Sequence, residues 1–536
     1  MEATPPQRYD APEPAPPTES APLVRVSRHD RLQAEIKVEY IPPDVLAEAT
    51  SWELDLWFHL PSAVGIGAGQ TPPETIYQDL RTFSRLKTPT VTLADLADLA
   101  GVGSPIATLA VLAEAADAAR PTWQRDVRRE ARLTPRMLRS AARRCLAETA
   151  AEPATADRQM DSLLHATSII GPRFRDLLSR LRQRPLDDPT SLCLEACDEY
   201  LSIQLELIAT RAVNLLDELG VDAPRRAAFV ALARREAAYR TRRGWRSSLP
   251  AEGDTASEEA FLDQVGLLKR YVERVLHLQP VENAAHRRAR NSILGLAAAL
   301  AMTWAVGLQV FAMFAFGLNL TQGAGTSIVA MFSMVAVLGY ILKDRLKAWS
   351  AETLARQLPR FLDDRGVHLV WGIHAVRLAK ASERLTFEAV GDLPPEVRAR
   401  NIAALRSRLS AEVHDDVLHY RRRMVLHPRV AGSEFPRFIG VDDIIRINVA
   451  RWVRTLAAPR RSIVVLSDGG QPVIRKLANR YSVPVVARLR MSRDGAEPLD
   501  LWSVHRLLLT QRGLERVETL DPPERPMVNA PPGGFL

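Results

Sequence analysis

The strongest pattern along the chain is an apolar stretch from Asn291 to Leu342, which contains no Asp, Glu, Lys or Arg. Within it, two apolar runs at residues 292–317 and 325–342 are separated by a short polar link. A helix needs roughly 20 predominantly apolar residues to cross the hydrocarbon core of a bilayer. The pattern therefore predicts a transmembrane hairpin that occupies about residues 286–347.

Basic side chains bracket this predicted hairpin on both sides, at Arg287, Arg288, Arg290, Lys343, Arg345 and Lys347. Lys and Arg beside membrane helices favour the cytoplasmic side, whereas the link carries no charge. We therefore expect a multi-pass protein of the bacterial inner membrane whose N- and C-termini are both cytoplasmic. Anionic lipid headgroups are the partner that such a basic border predicts.

Small side chains recur every four residues in the first apolar run, at Gly295, Ala299, Thr303 and Gly307. This spacing puts them on one face of a helix, where another helix can approach closely. The pattern predicts helix packing along this face. The packing partner is either the second run or another copy of the chain, and the second case implies a homo-oligomer.

The N-terminal flank divides into three parts. Residues 1–26 are rich in proline and predict a disordered tail. Residues 27–100 predict a small α/β segment, because polar and apolar residues alternate at Ala34–Tyr40 and Trp52–Leu60 and a helical pattern follows at Pro73–Lys87. Residues 101–285 show helical periodicity almost throughout and predict a helical cytosolic domain.

The C-terminal flank predicts an α+β cytosolic domain over residues 348–520, followed by a second proline-rich tail over residues 521–536. A helix is expected at Val441–Leu456. Three strand-like runs predict an antiparallel meander, at Val483–Arg490, Leu499–Leu509 and Leu514–Thr519. An alternative interpretation places a βαβ unit at residues 463–481.

Together these elements predict a mixed membrane protein. A two-helix transmembrane hairpin lies between a mostly α-helical N-terminal cytosolic region, with a small strand-containing start, and an α+β C-terminal cytosolic domain. The net charge of +8 suits an anionic surface, and the position of the hairpin favours lipid over nucleic acid. Three cysteines in 536 residues imply no disulfide framework, and no cofactor is expected.

Candidate catalytic chemistry is sparse. The chain contains no HExxH, no GxSxG and no kinase signature set, so no catalytic residue is assigned. The loop Gly65-Ile66-Gly67-Ala68-Gly69 follows a predicted strand but lacks the GxGxxG spacing of dinucleotide-binding loops. An ordinary loop is the favoured interpretation.

The best candidate metal ligands are His414, Asp415 and His419. The pair His414-Asp415 resembles the His-Asp dyad of metal-dependent HD phosphohydrolases. This resemblance covers two residues. It implies a membrane-tethered metal-dependent hydrolase as one alternative function. The default interpretation is a solvated turn without metal.

The first alternative to the leading hypothesis rests on the hairpin. Its layout, with Gly317-Leu318-Asn319 at the end of the first run, is similar to that of CorA-type magnesium channels, which carry Gly-Met-Asn there. This resemblance covers three residues plus the layout and implies an oligomeric ion channel or transporter subunit. The leading hypothesis is a non-enzymatic scaffold or regulatory protein that is anchored in the membrane and recruits an unknown protein partner.

Overall fold

A computed structural model describes residues 23–98, 103–115, 121–220, 223–248, 254–283, 363–372, 375–405, 416–492 and 498–521, with single helical positions between residues 288 and 349. In chain order the strands are β1 (Val24–Arg28), β2 (Gln33–Tyr40), β3 (Thr50–Leu60), β4 (Leu80–Leu86), β5 (Gln279–Glu282), β6 (Arg365–Trp371), β7 (Val376–Ala389), β8 (Asp416–Leu426), β9 (Val441–Asn448), β10 (Arg460–Leu466), β11 (Pro472–Ala478), β12 (Tyr481–Ser492), β13 (Leu499–Thr510) and β14 (Gly513–Asp521). The helices are α1 (Pro73–Asp79), α2 (Leu93–Ala97), α3 (Pro105–Glu114), α4 (Pro121–Ala151), α5 (Ala156–Leu181), α6 (Asp188–Leu219), α7 (Ala223–Arg243), α8 (Thr255–Glu273), α9 (Pro395–Leu405), α10 (Pro428–Glu434) and α11 (Ala450–Arg454).

The largest element of the fold is an eight-stranded sheet in the order β14-β13-β12-β3-β8-β7-β6-β5. Every neighbouring pair in it is antiparallel. Strand β3, which comes from the N-terminal flank of the chain, lies inside this sheet between β12 and β8. It is almost entirely buried. Its sequence alternates: Trp52, Leu54, Leu56 and Phe58 share one face, whereas the other face also buries polar side chains, Asp55 and His59.

A second, four-stranded sheet has the order β1-β2-β9-β4. Its strands alternate between an apolar face and a polar face. Ile36, Val38, Ile445 and Ile447 point into the core and are almost completely buried. The residues between them are charged or lie opposite charged neighbours, so this sheet packs by one face only. Separately, β10 and β11 form a two-stranded antiparallel ribbon.

The helices α4 to α8 pack together beside the sheets. Val127, Ala131, Leu138 and Ala142 are buried along one face of α4, at the spacing of an amphipathic helix. Helix α6, which packs against α4 and α7, begins where the Asp187 side chain accepts a hydrogen bond from the Thr190 amide. It ends at a left-handed residue, Gly220.

The predicted membrane architecture is corrected by the structure. Among the described residues, no helix is both long enough and apolar enough to cross a membrane. The long helices α4 and α6 have 31 and 32 residues, but charged side chains recur along both. The membrane fold class and the multi-pass inner-membrane localisation are therefore not supported, and the described residues have an α+β fold. Most of Asn291–Leu342 lies outside the described residues.

The predicted separation into a helical N-terminal region and an α+β C-terminal domain is also wrong. Strand β3 pairs with β8 and β12, and β2 pairs with β9, so N-terminal strands complete both large sheets. Open strand edges are satisfied by hydrogen bonding to other strands, wherever these lie in the sequence. The chain segments before and after residues 288–349 thus share their sheets and one hydrophobic core.

Several local predictions can be compared directly. Strands at Ala34–Tyr40 and Trp52–Leu60 are confirmed, as is the antiparallel meander, which corresponds to β12, β13 and β14. The helix predicted at Val441–Leu456 is wrong over its first half, which is strand β9. The alternative βαβ unit is wrong as well, because residues 472–478 form β11 rather than a helix.

Candidate functional site

A large cavity of about 1390 Å³ lies where the four-stranded sheet, the helices α4 and α8, and the strands β5 to β7 meet. Its basic lining residues are Arg25, Arg28, Lys37, Arg85, Lys87, Arg136, Arg139, Arg143, Arg144, Lys269, Arg365, Arg422 and Arg446. Its acidic lining residues are Glu35, Glu39, Glu148, Glu273, Glu383 and Asp442. Cationic side chains outnumber carboxylates about two to one, so the cavity is a site of positive potential.

The first wall is the polar face of the four-stranded sheet. The strand register places Arg25 opposite Lys37, Lys37 opposite Ile444, and Ile444 opposite Phe83. Because directly opposite residues in a sheet share a face, this row crosses the whole wall. An apolar pair, Ile444 and Phe83, therefore lies at one end of a row whose other members are cationic.

The next row of this wall is an ion-pair network. Lys37 Nζ lies 2.9 Å from a Glu39 carboxylate oxygen and 3.5 Å from Asp442, and Lys87 also pairs with Glu39. Arg85 Nη2 lies 3.1 Å from Asp442. Burial opposes ionisation of Glu39, but the two lysines lower its pKa to about 2. Three cations thus share two carboxylates.

The second wall is formed by α4 and α8. Arg136, Arg139, Arg143 and Arg144 recur at helical spacing along α4, and Lys269 and Glu273 come from α8. The Nη1 atoms of Arg136 and Arg139 both donate to the same oxygen, Oε1 of Glu273, at 3.0 Å. Two guanidinium groups thus converge on one carboxylate.

Crowding of positive charge on this wall affects the pKa of several groups. Loss of water contact lowers the pKa of Arg136, and the neighbouring Arg85 and Arg139 lower it further. The pKa of Arg143 is lowered by burial and then by Arg211. The pKa of Lys269 is lowered by burial and by the arginines of α4. Each of these groups holds its charge at a cost, which a bound anion would relieve.

The floor of the cavity contains a buried arginine with a structural role. Arg422 is only 1% exposed and donates through Nη2 to Asp443 at 3.0 Å, while it also pairs with Glu383. The Ser84 hydroxyl donates to Asp443 at 2.7 Å. These contacts join β8 and β7 of the eight-stranded sheet to β9 and β4 of the four-stranded sheet. Arg422 is therefore neutralised within the protein.

The predicted metal ligands are not brought together by the described structure. His414 and Asp415 lie outside the described residues. His419 Nε2 lies 2.8 Å from Asp55, and its Nδ1 lies 2.7 Å from Glu388. In the described ranges, no group of three or more His, Cys, Asp or Glu side chains could hold a metal ion.

The environment of His419 favours its protonated form. Burial alone would lower the pKa of His419, but the two flanking carboxylates raise it. Burial likewise opposes ionisation of Asp55, whereas hydrogen bonds from His419 and Arg421 lower its pKa to about 2. The side chains Asp55, His419 and Glu388 thus form a buried ion-pair chain on the eight-stranded sheet.

The small residues of the first apolar run and the basic residues beside the predicted hairpin lie in the sparsely described part of the chain. The positions Gly295, Ala299, Thr303 and Gly307 are helical and exposed in the single chain, and the Thr303 hydroxyl donates to the Ala299 carbonyl at 3.0 Å. Their packing role stays a prediction. Arg288 and Arg345 are also at helical positions, whereas Arg287, Arg290, Lys343 and Lys347 lie outside the described residues.

The glycine loop after β3 binds a carboxylate from another part of the chain. The Ala68 amide donates to Asp416 Oδ2 at 3.2 Å, and this oxygen lies where a side chain at position 67 would be. A larger residue at position 67 would displace this carboxylate. The loop is therefore explained by a contact within the chain, in agreement with the interpretation as an ordinary loop.

The basic wall on α4 was not identified from the sequence. Its signal is the recurrence of arginine at positions 136, 139, 143 and 144, but similar arginine density occurs on several helices. What distinguishes α4 is that its arginines face the polar side of a sheet built from both ends of the chain. That juxtaposition is a tertiary property.

No protein-family model, no curated protein and no solved structure matches this chain. We therefore infer function from the geometry of the cavity.

Proposed function

We propose that this chain is a regulatory protein that binds a multivalent anion in the cationic cavity. The observation that carries the proposal is the second wall, where four arginines and Lys269 face two carboxylates, Glu148 and Glu273. Like charges at this density repel one another unless a counter-charge lies between them. A ligand with several negative charges supplies that counter-charge.

Phosphate-containing ligands match the donor groups best. Arginine presents a planar fork of N–H donors that fits phosphate and carboxylate oxygens, and these charge-assisted hydrogen bonds are the strongest in proteins. Arg136 and Arg139 already orient two such forks towards one carboxylate oxygen of Glu273. A ligand oxyanion beside Glu273 would be contacted by the same two guanidinium groups.

A regulatory role is supported by the fact that separate elements of the fold form the walls of the cavity. Leu278 and Pro280, which lead into and begin β5, line the cavity together with α4 and the four-stranded sheet. The Trp371 indole of β6 donates to the Val275 carbonyl at 2.7 Å, in the short turn after α8. A ligand that contacts all three walls stabilises their mutual arrangement, and any process sensitive to that arrangement responds to the ligand.

Isothermal titration of the full-length chain with inorganic tripolyphosphate tests the binding step. Lys269→Gln removes one charge from the basic wall and is expected to weaken binding about tenfold. Arg180→Gln is the matched control, because Arg180 is an exposed helical arginine that does not line the cavity. Absence of binding, or equal affinity of both variants, would refute the proposal.

Hydrogen exchange tests the regulatory step. The Asn283 amide donates to the Gly366 carbonyl at 2.9 Å, and β5 pairs with β6 just before it. Saturating tripolyphosphate is expected to slow amide exchange in residues 279–283 and to leave the ribbon of β10 and β11, which does not line the cavity, unchanged. Binding without any slowing in β5 would remove the regulatory part of the proposal.

A further inference from the structure

We infer that the anion is a nucleotide, with its base stacked on Phe83 and its phosphates directed at the α4 arginines. This inference rests on the proposed function, because it uses the same cavity, and it adds the chemical class of the ligand. It is carried by the position of one exposed aromatic side chain on a mostly charged wall.

Phe83 is an unusual residue for its location. It lies on β4, in the polar face of the four-stranded sheet, where it lines the cavity and is 48% exposed to solvent. The flanking residues on the same face of β4 are Arg81 and Arg85. An exposed phenyl ring between two arginines has no role in the core, so its apolar surface is available to a ligand.

The surroundings of Phe83 suit a flat, aromatic ligand group. Ile444 lies directly opposite Phe83 on β9 and extends the apolar surface. The Arg446 guanidinium lies 5.4 Å from the centre of the Phe83 ring. Exposed aromatic rings on sheet surfaces stack with nucleobases, and arginine side chains add cation–π attraction to the same base.

The phosphate-binding groups lie at a suitable place relative to this ring. Arg85 is two residues along β4 from Phe83 and on the same face. Arg85 also forms an isolated β-bridge with His277, which follows α8, and both residues line the cavity together with Arg136 of α4. Arg85 thus connects the strand that carries Phe83 to the turn after α8, beside the basic wall.

The cavity size is consistent with this ligand class. Pockets for small ligands typically measure about 300–1000 Å³. The observed volume of about 1390 Å³ exceeds this range, so the cavity has room for a nucleotide with several phosphates. The six acidic residues that line it would repel the continuous phosphate backbone of a longer strand. We therefore favour a mononucleotide over a longer nucleic acid.

The test compares two ligands on two variants. Full-length protein is titrated with ATP and with inorganic tripolyphosphate, both in the presence of EDTA. Wild type is expected to bind ATP at least about tenfold more tightly than tripolyphosphate, because only ATP has a base to stack. Phe83→Leu is expected to remove this advantage without weakening tripolyphosphate binding. Phe83→Tyr keeps an aromatic ring and is expected to retain the preference for ATP.

The outcomes separate this inference from the proposed function. If tripolyphosphate binds but ATP binds no more tightly, or Phe83→Leu leaves ATP affinity unchanged, the nucleotide inference fails and the anion site stands. If neither ligand binds, the proposed function itself fails. A ten-nucleotide single-stranded RNA that binds more than tenfold tighter than ATP would also overturn the mononucleotide inference.

Discussion

Trp57 stacks on His419, with ring centres 4.7 Å apart and planes inclined by only 15°. The two residues are direct cross-strand neighbours on β3 and β8, so the stack joins the N-terminal strand to the strand beside it. Stacking on a protonated imidazole is more favourable than on a neutral ring, because a cation is attracted to an aromatic face. Together with Asp55 and Glu388, the stack favours charged His419.

The first prediction concerns the pH dependence of stability. Because folding raises the pKa of His419, its contribution is complete below the unfolded pKa, near 6.5, and is lost as pH rises through the folded pKa. The free energy of unfolding should therefore fall as pH increases above about 6.5.

His419→Gln should lack this alkaline decline and be less stable by about 1–3 kcal/mol at pH 6. Urea unfolding followed by tryptophan fluorescence at pH 6, 7, 8 and 9 measures both effects. A wild-type profile parallel to that of the variant would show that His419 does not titrate in this range.

The second prediction concerns two adjacent arginines on β8. Arg422 is buried between Asp443 and Glu383, whereas the side chain of Arg423 is 51% exposed and pairs with Glu53. Arg422→Met leaves buried carboxylates without their cation and should cost about 3–5 kcal/mol. The matched variant Arg423→Met should cost no more than about 1 kcal/mol. Equal losses in chemical denaturation would contradict the structural role of Arg422.

The third prediction concerns two glycines. Gly440, just before β9, has φ +151°, and a Cβ there would lie 2.5 Å from the Tyr40 carbonyl oxygen. Gly440→Ala should therefore destabilise the fold by about 1–3 kcal/mol. Gly432 lies within α10 with open space around it, so Gly432→Ala should be neutral or stabilising by up to about 1 kcal/mol. Relative to wild type, the midpoint of urea unfolding should decrease for Gly440→Ala and stay unchanged or increase for Gly432→Ala.

Some of this fold was predictable from sequence patterns. The alternation in Ala34–Tyr40 and the turns between the strands of the meander are local signals, and local hydrogen bonding satisfies them. The helix prediction was wrong for Val441–Asn448 because the apolar residues there fit both a helical and a strand period. These residues are Val441, Ile444, Ile445 and Ile447. Pairing with β2 and β4 on both sides, together with β-branched side chains, decides for a strand.

The cavity was not predictable in the same way. Phe83 was assigned to a helix over Pro73–Lys87, but α1 ends at Asp79 and β4 follows directly. Strand β4 is held by pairing with β9, some 360 residues later. Neither the exposure of Phe83 nor its position opposite the α4 arginines is encoded in any short segment, since both depend on this distant pairing.

The most direct test of the anion site is a lysine footprint, because the described residues contain lysines both inside and outside the cavity. Lys37, Lys87 and Lys269 line the cavity, whereas Lys380 and Lys476 lie elsewhere. Full-length protein is acetylated briefly with and without tripolyphosphate, and modification is quantified by mass spectrometry. We predict that tripolyphosphate reduces labelling of Lys269, with smaller reductions at Lys37 and Lys87, and leaves Lys380 and Lys476 unchanged. Equal protection at all five positions, or none at Lys269, would contradict the assignment of an anion site to this cavity.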